Sequence, residues 1–383
     1  MQTNGNWIPK GIVIFLLSVN VESRQCFNNE QNESICKISK GLSAIDPAFF
    51  KIVLKGLAQS FGRFGDLLEN IDSNIIELIT SSIKHCPISD VNDDVSIAKA
   101  FKFQIYHPQK LAPEVFDGLN FIKKCQSKSE RSNEIDYTIF LWHGWMNNIE
   151  KSPINCEWST ASAQVLANNA NAQVIDIDWG TNGLSSCNYL ELVFCYIESI
   201  SNWMANRIID GSTHGFIAPI EKIWMIGHSL GARFCTFTAE SVYQRTQKQM
   251  YNLILMDIAG ILFANGKTSG RCQHSYIDHV QNSTIIYTNP NAFGTNDFDF
   301  EFAKVKIFSN AENDFCQMGC NDCDPMCCHS YGPKKIFHEL VRKTPIYARF
   351  LSGSNQPLRN VTIFESMESG FYDLTPEYNP GVF

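Results

Sequence analysis

Ser229, Asp257 and His329 stand in that order along a chain of 383 residues. A serine hydroxyl is a weak nucleophile until an imidazole takes its proton, and the imidazole needs a carboxylate to fix its tautomer. Together the three residue types could drive nucleophilic attack on an acyl carbonyl. Ser229 carries the strongest local signal. Ile223-Trp224-Met225-Ile226 runs directly into Gly227-His228-Ser229-Leu230-Gly231, and a helix-competent stretch from Ala232 to Tyr243 follows. Strand, sharp turn and helix with a serine at the apex make a nucleophile elbow. Glycine suits positions 227 and 231 because a side chain there would collide with the adjoining strand or helix. The hydroxyl is then exposed at the carboxyl edge of a sheet, and the free amides of the new helix point at an incoming oxyanion. The bare pattern G-x-S-x-G also arises by chance, so the strand before it and the helix after it carry the reading.

Functional residues of open α/β sheets collect at the carboxyl ends of strands. Here residues 137–142 end in His143-Gly144-Trp145, residues 253–256 end in Asp257, and His329 follows the cysteines of Cys327-Cys328-His329-Ser330-Tyr331. Asp176 and Asp178 precede the nucleophile and read as structural residues of a buried strand end. His338 is the rival base, but the apolar positions Ile336, Phe337, Leu340 and Val341 put it on a polar helix face. The oxyanion would meet the backbone amide of Leu230 and a second donor from the loop opening at His143-Gly144.

The elements that must hold these residues alternate. Strands are expected at 101–106, 137–142, 172–179, 223–226, 253–256, 283–288 and 305–308, with helices at 160–170, 190–209 and 232–247. That alternation predicts an α/β-hydrolase fold, a mostly parallel central sheet with helices on both faces. Residues 96–350 form this domain, and 351–383 form a C-terminal tail rich in Pro, Gly and Ser that leaves no room for a second β domain. Residues 24–95 read as a helical N-terminal extension, because apolar residues from Phe64 to Ile83 recur at helical spacing. It is either a structural cap or a cleaved pro-segment, and Cys26, Cys36 and Cys86 could staple it.

Residues 1–23 have the form of a signal peptide: Lys10, an apolar run from Gly11 to Val19, then Val21-Glu22-Ser23. The run is too short to span a bilayer, and no transmembrane segment is expected elsewhere. Export accounts for 14 cysteines, which in a secreted chain read as disulfides. Three glycosylation acceptors agree with it, at Asn32, Asn282 and Asn360. A net charge of −8 without any basic run argues against nucleic acid as a partner.

His143-Gly144-Trp145 with Met146-Asn147-Asn148, the elbow with Ala232-Arg233, Met256 to Phe263, and Cys327 to Tyr331 together resemble the pancreatic-lipase-like family. That family comprises secreted triglyceride lipases, phospholipases A1 and insect yolk-protein relatives. The resemblance runs from about Phe101 to Arg349. It implies Ser229 as nucleophile, Asp257 as orienting acid, His329 as base, and Trp145 and Leu230 as donors of the oxyanion amides. It implies a lipid ester as substrate, met at a membrane or micelle surface. A phospholipase A1 releasing the sn-1 acyl chain is the leading expectation, with a triglyceride lipase or galactolipase next. A non-catalytic lipid-binding or yolk-type storage protein is the alternative of another class. Three departures stand out. Asp257-Ile258-Ala259 replaces the usual Asp-Pro-Ala, and Arg271 to Tyr276 lacks the paired carboxylates of a calcium site, so no metal or other cofactor is expected. The lid expected of the family is reduced to the few residues between Cys320 and His329, where a bridge from Cys320 to Cys327 or Cys328 would close a very small loop.

Overall fold

A computed structural model of the chain describes residues 26–27, 29–42, 86–128, 135–146, 157–263, 270–271, 277–290, 292–295, 303–351, 357–375, 377 and 379. In chain order the strands among them are β1 (Cys26–Phe27), β2 (Lys102–Tyr106), β3 (Glu114–Asp117), β4 (Tyr137–Trp142), β5 (Ala172–Asp178), β6 (Ile223–His228) and β7 (Met250–Met256). They continue with β8 (Gly270–Arg271), β9 (Val280–Tyr287), β10 (Val305–Ser309), β11 (Ile346–Phe350), β12 (Leu358–Val361) and β13 (Gly370–Leu374). The chain divides into two compact units. One holds residues 1–85, 188–195 and 262–273, and the other holds the rest.

The larger unit is built on a sheet of eleven strands in the order β12-β11-β13-β10-β9-β7-β6-β4-β5-β2-β3. From β5 to β13 the neighbours run parallel, while β2 and β3 at one edge and β11 and β12 at the other are antiparallel. This is the α/β-hydrolase architecture, mostly parallel, as the alternation of elements predicts. Parallel strands covered on both faces read as unbroken apolar runs. Every residue of β5 and β6 is accordingly buried, as is β4 from Thr138 onward. Alternate residues serve opposite faces. Ile139 and Leu141 join a core with Leu166, Ile226, Ile254 and Phe337. Trp142 instead stacks on Phe234 of the helix Leu230–Thr246, with ring centroids 5.1 Å apart. Phe101 and Phe103 extend that second core through Trp203 and Phe121.

The smaller unit contains the helix Asn29–Leu42, joined to Cys195 by the Cys36–Cys195 disulfide, and the parallel pair β1–β8. The amphipathic stretch expected between Phe64 and Ile83, and the signal segment 1–23, lie outside the described residues.

Two boundaries need correction. Residues 86–95 belong with the larger unit and not with the extension, because the Cys86–Cys187 disulfide and the buried Ile88 tie them there. The expected C-terminal tail 351–383 contributes β12 and β13, and β13 sits inside the sheet between β10 and β11. Its five residues begin with Gly370 and lie between Ser369 and Pro376, and its pairing is made entirely with strands distant in sequence. No local periodicity reveals such a strand.

Candidate active site

Ser229 stands between β6 and the helix Leu230–Thr246 with φ +56° and ψ −124°. A non-glycine residue held there costs about 1–3 kcal/mol, so the surroundings must impose it. They do so through the backbone. The Ser229 N–H donates to the Met256 carbonyl at 3.0 Å, and the Ser229 carbonyl accepts from Ala232 at 3.1 Å and Ala259 at 3.2 Å. Both elbow glycines are required by close approach. A Cβ on Gly227 would lie 2.6 Å from the Ala232 backbone, and one on Gly231 would lie 2.3 Å from the His143 carbonyl oxygen. The second contact shows that the elbow helix packs directly on the end of β4.

Asp257 follows β7 with φ +41° and is fully buried. Its Oδ1 accepts from the backbone amides of Thr288 at 3.0 Å and Asn289 at 2.9 Å. Its Oδ2 faces His329 Nδ1 at 2.5 Å. Gly294 makes room for this carboxylate, since a Cβ there would come within 2.7 Å of Oδ1. With Nδ1–H donated to Asp257, His329 keeps Nε2 as its basic atom, the tautomer a general base needs. His329 lies on the helix Pro325–Tyr331, whose first turn is capped by Asp324 accepting from the Met326 amide at 2.9 Å. His338 is elsewhere, with its Nδ1 3.5 Å from Glu339 Oε1.

Two residues that the sequence reading did not single out hold the His329 helix in place. His228 Nε2 donates to the His329 carbonyl at 2.9 Å, with the two rings 4.7 Å apart. Burial disfavours the charged form of His228, and the neighbouring His329 opposes a second positive charge, so its pKa lies well below the usual imidazole value. Asn289 Nδ2 donates to the Pro325 carbonyl at 2.6 Å. His228 was visible as the polar residue inside the elbow motif, whereas nothing in the sequence marks Asn289.

Leu230 opens its helix, so its amide is among the first-turn groups without an intrahelical acceptor. Trp145 is braced through its indole Nε1, which donates to the Cys187 carbonyl at 3.0 Å, and the next residue, Met146, donates its amide to Ser185 at 2.7 Å. Behind this loop His143 is fully buried. Its Nδ1 meets the Gly144 carbonyl at 2.9 Å, its Nε2 accepts the Trp179 amide at 3.3 Å, and its ring stacks on Trp179. The histidine therefore braces the loop from beneath. Asp178 caps the turn after β5 by accepting from the Gly180 and Thr181 amides. Asp176 is buried beside Ser159 and Thr160, and burial pushes its carboxyl up to about 7.

The loop before His329 carries the Cys316–Cys323 and Cys320–Cys327 disulfides, each closing a separation of seven residues. Cys328, the other expected partner of Cys320, is a free buried thiol. Gln317 anchors the loop: its amide Nε2 donates to the carbonyls of Thr288, Ser309 and Phe315, and its Oε1 accepts from Ser309 Oγ at 2.8 Å. Residues 272–276, where calcium ligands were judged to be missing, lie outside the described residues.

No protein-family profile matches the chain. Among curated proteins, "Phospholipase A1 2" of Polistes dominula is 26% identical over 224 residues, covering 56% of this chain and 64% of that protein. "Phospholipase A1" of Vespa velutina is 29% identical over 213 residues, covering 54% and 65% respectively. The chain thus spans less than two thirds of the length of these relatives. Among solved structures, a hyperthermophilic esterase from the archaeon Pyrobaculum calidifontis gives a TM-score of 0.29 at 12% identity over 91% of both chains, too low a likeness to carry weight. The sequence matches bear out the resemblance read from the motifs: over a little more than half its length the chain is similar to wasp proteins named phospholipase A1.

Proposed function

We propose that the protein is a secreted serine hydrolase that cleaves carboxylic esters of lipids, with a glycerophospholipid as substrate and the sn-1 acyl chain as leaving acid. The observation that carries this reading is the 2.5 Å contact between His329 Nδ1 and Asp257 Oδ2, in a sheet whose elbow presents Ser229. The names of the wasp relatives supply the substrate class. Four disulfides among the described residues support export, and no helix of those residues is long and apolar enough to cross a membrane.

In the proposed reaction, Ser229 Oγ attacks the acyl carbonyl carbon while its proton passes to His329 Nε2. Asp257 holds the imidazolium through Nδ1–H. The negative charge that develops on the carbonyl oxygen is met by the Leu230 and Trp145 amides. The tetrahedral intermediate collapses as His329 returns the proton to the departing lysolipid oxygen. Water then attacks the acyl-enzyme, again giving its proton to His329, and Ser229 leaves with the proton restored.

The deciding experiment measures fatty-acid release from a phospholipid panel by the wild-type and Ser229→Ala proteins. Loss of the nucleophile from a cooperative triad costs on the order of a millionfold in kcat. The alanine variant should fold and show no measurable turnover. Retention of more than a few per cent of activity would overturn the assignment, and an inactive wild type with bound lipid would favour the storage-protein alternative.

A further inference from the structure

The acceptor sequence Asn360-Val361-Thr362 lies on β12, the outermost strand of the eleven-stranded sheet. In the register of β11 and β12, Asn360 faces Tyr347 and Val361 faces Ile346. The second pair is buried and the first is exposed, so Asn360 belongs to the outer face. Tyr347 spends its own backbone groups on Asn379: its N–H donates to Asn379 Oδ1 and its carbonyl accepts from Asn379 Nδ2, both at 2.8 Å. It therefore has no ladder hydrogen bonds with β12. Residues paired in that way have Cα atoms only about 4.5 Å apart and side chains close together. Asn360 thus lies directly across from Tyr347 on the same face, with its own backbone groups directed at the open edge.

The surroundings hold a group of exposed apolar side chains, interrupted by Arg349 and partly covered where Lys306 Nζ lies 4.9 Å from the Phe371 ring centroid. Tyr347 is 44% exposed, Leu358 52%, Phe371 42% and Leu351 39%. They share one face, since Leu358 pairs with Arg349, the residue between Tyr347 and Leu351, and Leu351 donates its amide to the Phe371 carbonyl. An exposed edge strand beside such a strip invites pairing with another chain, and proteins protect such edges by covering them. The other two acceptors have different settings. Asn282 lies within β9, with its Nδ2 donated to the Tyr251 carbonyl at 3.1 Å and its Oδ1 accepting from Ser366 Oγ at 3.1 Å. A sugar on Nδ2 would leave Oδ1 and one N–H in place but would have to fit where Nδ2 abuts the Tyr251 carbonyl, and Ser283 beside it is buried. Asn32 is half-buried on the helix Asn29–Leu42, with its carboxamide oxygen shielded.

We infer that Asn360 is an N-glycosylation site, that its oligosaccharide covers the strip formed by Tyr347, Leu351, Leu358 and Phe371, and that the folded protein carries none at Asn282. In the transfer step the Asn360 carboxamide nitrogen attacks the anomeric carbon of an oligosaccharide carried on a polyprenyl diphosphate. The C–N bond forms as the bond from that carbon to the diphosphate oxygen breaks. The nitrogen gives up one proton, and the diphosphate leaves with the electron pair. Once attached, the apolar face of the first sugar can lie on the Tyr347 ring, and the bulk of the glycan blocks the β12 edge.

The inference rests on the export reading, and the test separates the two. The full chain is expressed in insect cells, cells and medium are analysed separately, and occupied sites are mapped by enzymatic deglycosylation in heavy-oxygen water followed by peptide mass spectrometry. The secreted protein should carry carbohydrate at Asn360 and none at Asn282. Asn360→Gln should lose the corresponding mass, keep its specific activity, and self-associate at lower protein concentration, as read by light scattering. Asn282→Gln should leave the glycan mass unchanged. A secreted protein bare at Asn360, or occupied at Asn282, overturns this inference while leaving export intact. A chain found unglycosylated in the cytosol overturns export and the glycan with it.

Discussion

His329 serves through three separate atoms, and each makes a different demand on its neighbours. Nδ1 is held by Asp257, the backbone oxygen is held by His228, and in the proposed mechanism Nε2 takes the proton. Removing the ring removes the base, so His329→Ala should be nearly inactive on a phospholipid substrate. His338→Ala should be close to normal, because that ring pairs with Glu339 and not with Asp257. The opposite pattern in the two kcat values would mean the base was misassigned. His228 poses a subtler question. Its Nε2–H satisfies a buried carbonyl, and an unsatisfied one costs about 1–3 kcal/mol. His228→Phe keeps a planar ring but loses the donor. Stability should fall by about that amount, and kcat by roughly tenfold with KM little changed, since geometry in the transition state suffers more than ground-state binding. His228→Gln, which restores an N–H donor, should recover part of the loss. If KM rose and kcat held, His228 would belong to substrate binding instead.

Near the end of β5 lies a buried carboxyl whose environment makes a pH-dependent statement about stability. Asp176 is fully buried, with Ser159 and Thr160 donating to Oδ2, and burial raises its pKa from 3.8 to about 7. The folded state thus favours the neutral acid. Its contribution to stability is fully present below the unfolded value and is lost as pH rises through about 7. Asp176→Asn keeps an acceptor for the two hydroxyls and cannot ionise. The melting temperature of the variant relative to wild type should therefore climb between pH 4 and pH 7 and level off above, by an amount worth at most a few kcal/mol. A constant difference across that range would show that Asp176 ionises normally in the folded protein. The same strand shows why the fold was legible. β4 and β6 are largely apolar runs with candidate site residues at their ends, so the sheet centre and the elbow could be read directly, and β5 was legible although it buries Gln173, Asp176 and Asp178. The edges could not. β3 exposes three of its four residues, and β12 also exposes three of four, so neither has a clear apolar rhythm. β13 depends on pairing with β10 and β11. Within the candidate site, Asn289 and Gln317 act by bonding to distant backbone carbonyls, a role that no local pattern encodes.

For the protein as a whole, the proposed function raises the question of how the catalyst would meet an insoluble ester. An enzyme with a swinging lid waits for an oil surface to open it. Here the corresponding loop has almost no freedom. Cys316–Cys323 and Cys320–Cys327 interlock within twelve residues of chain, and buried Gln317 ties the loop to Thr288 and Ser309. The loop also offers little apolar surface: Asn321-Asp322-Cys323-Asp324 is polar apart from its bridged sulfur, Met326 is half-buried, and Met318 alone is an exposed large apolar side chain within residues 316–327. A closed loop of this size has little entropy to lose and no alternative packing to adopt. The site should therefore be accessible without an interface, and the protein should hydrolyse phosphatidylcholine dispersed in mixed micelles with a rate that rises smoothly with lipid concentration. Emulsified triolein should be a poor substrate, because the loop presents little apolar surface beyond Met318 to bind a droplet. The measurement is the rate of fatty-acid release from both lipids across their solubility limits. A sharp rise at the limit, with triolein cleaved far faster than phosphatidylcholine, would place the protein among triglyceride lipases and show that another segment acts as the lid.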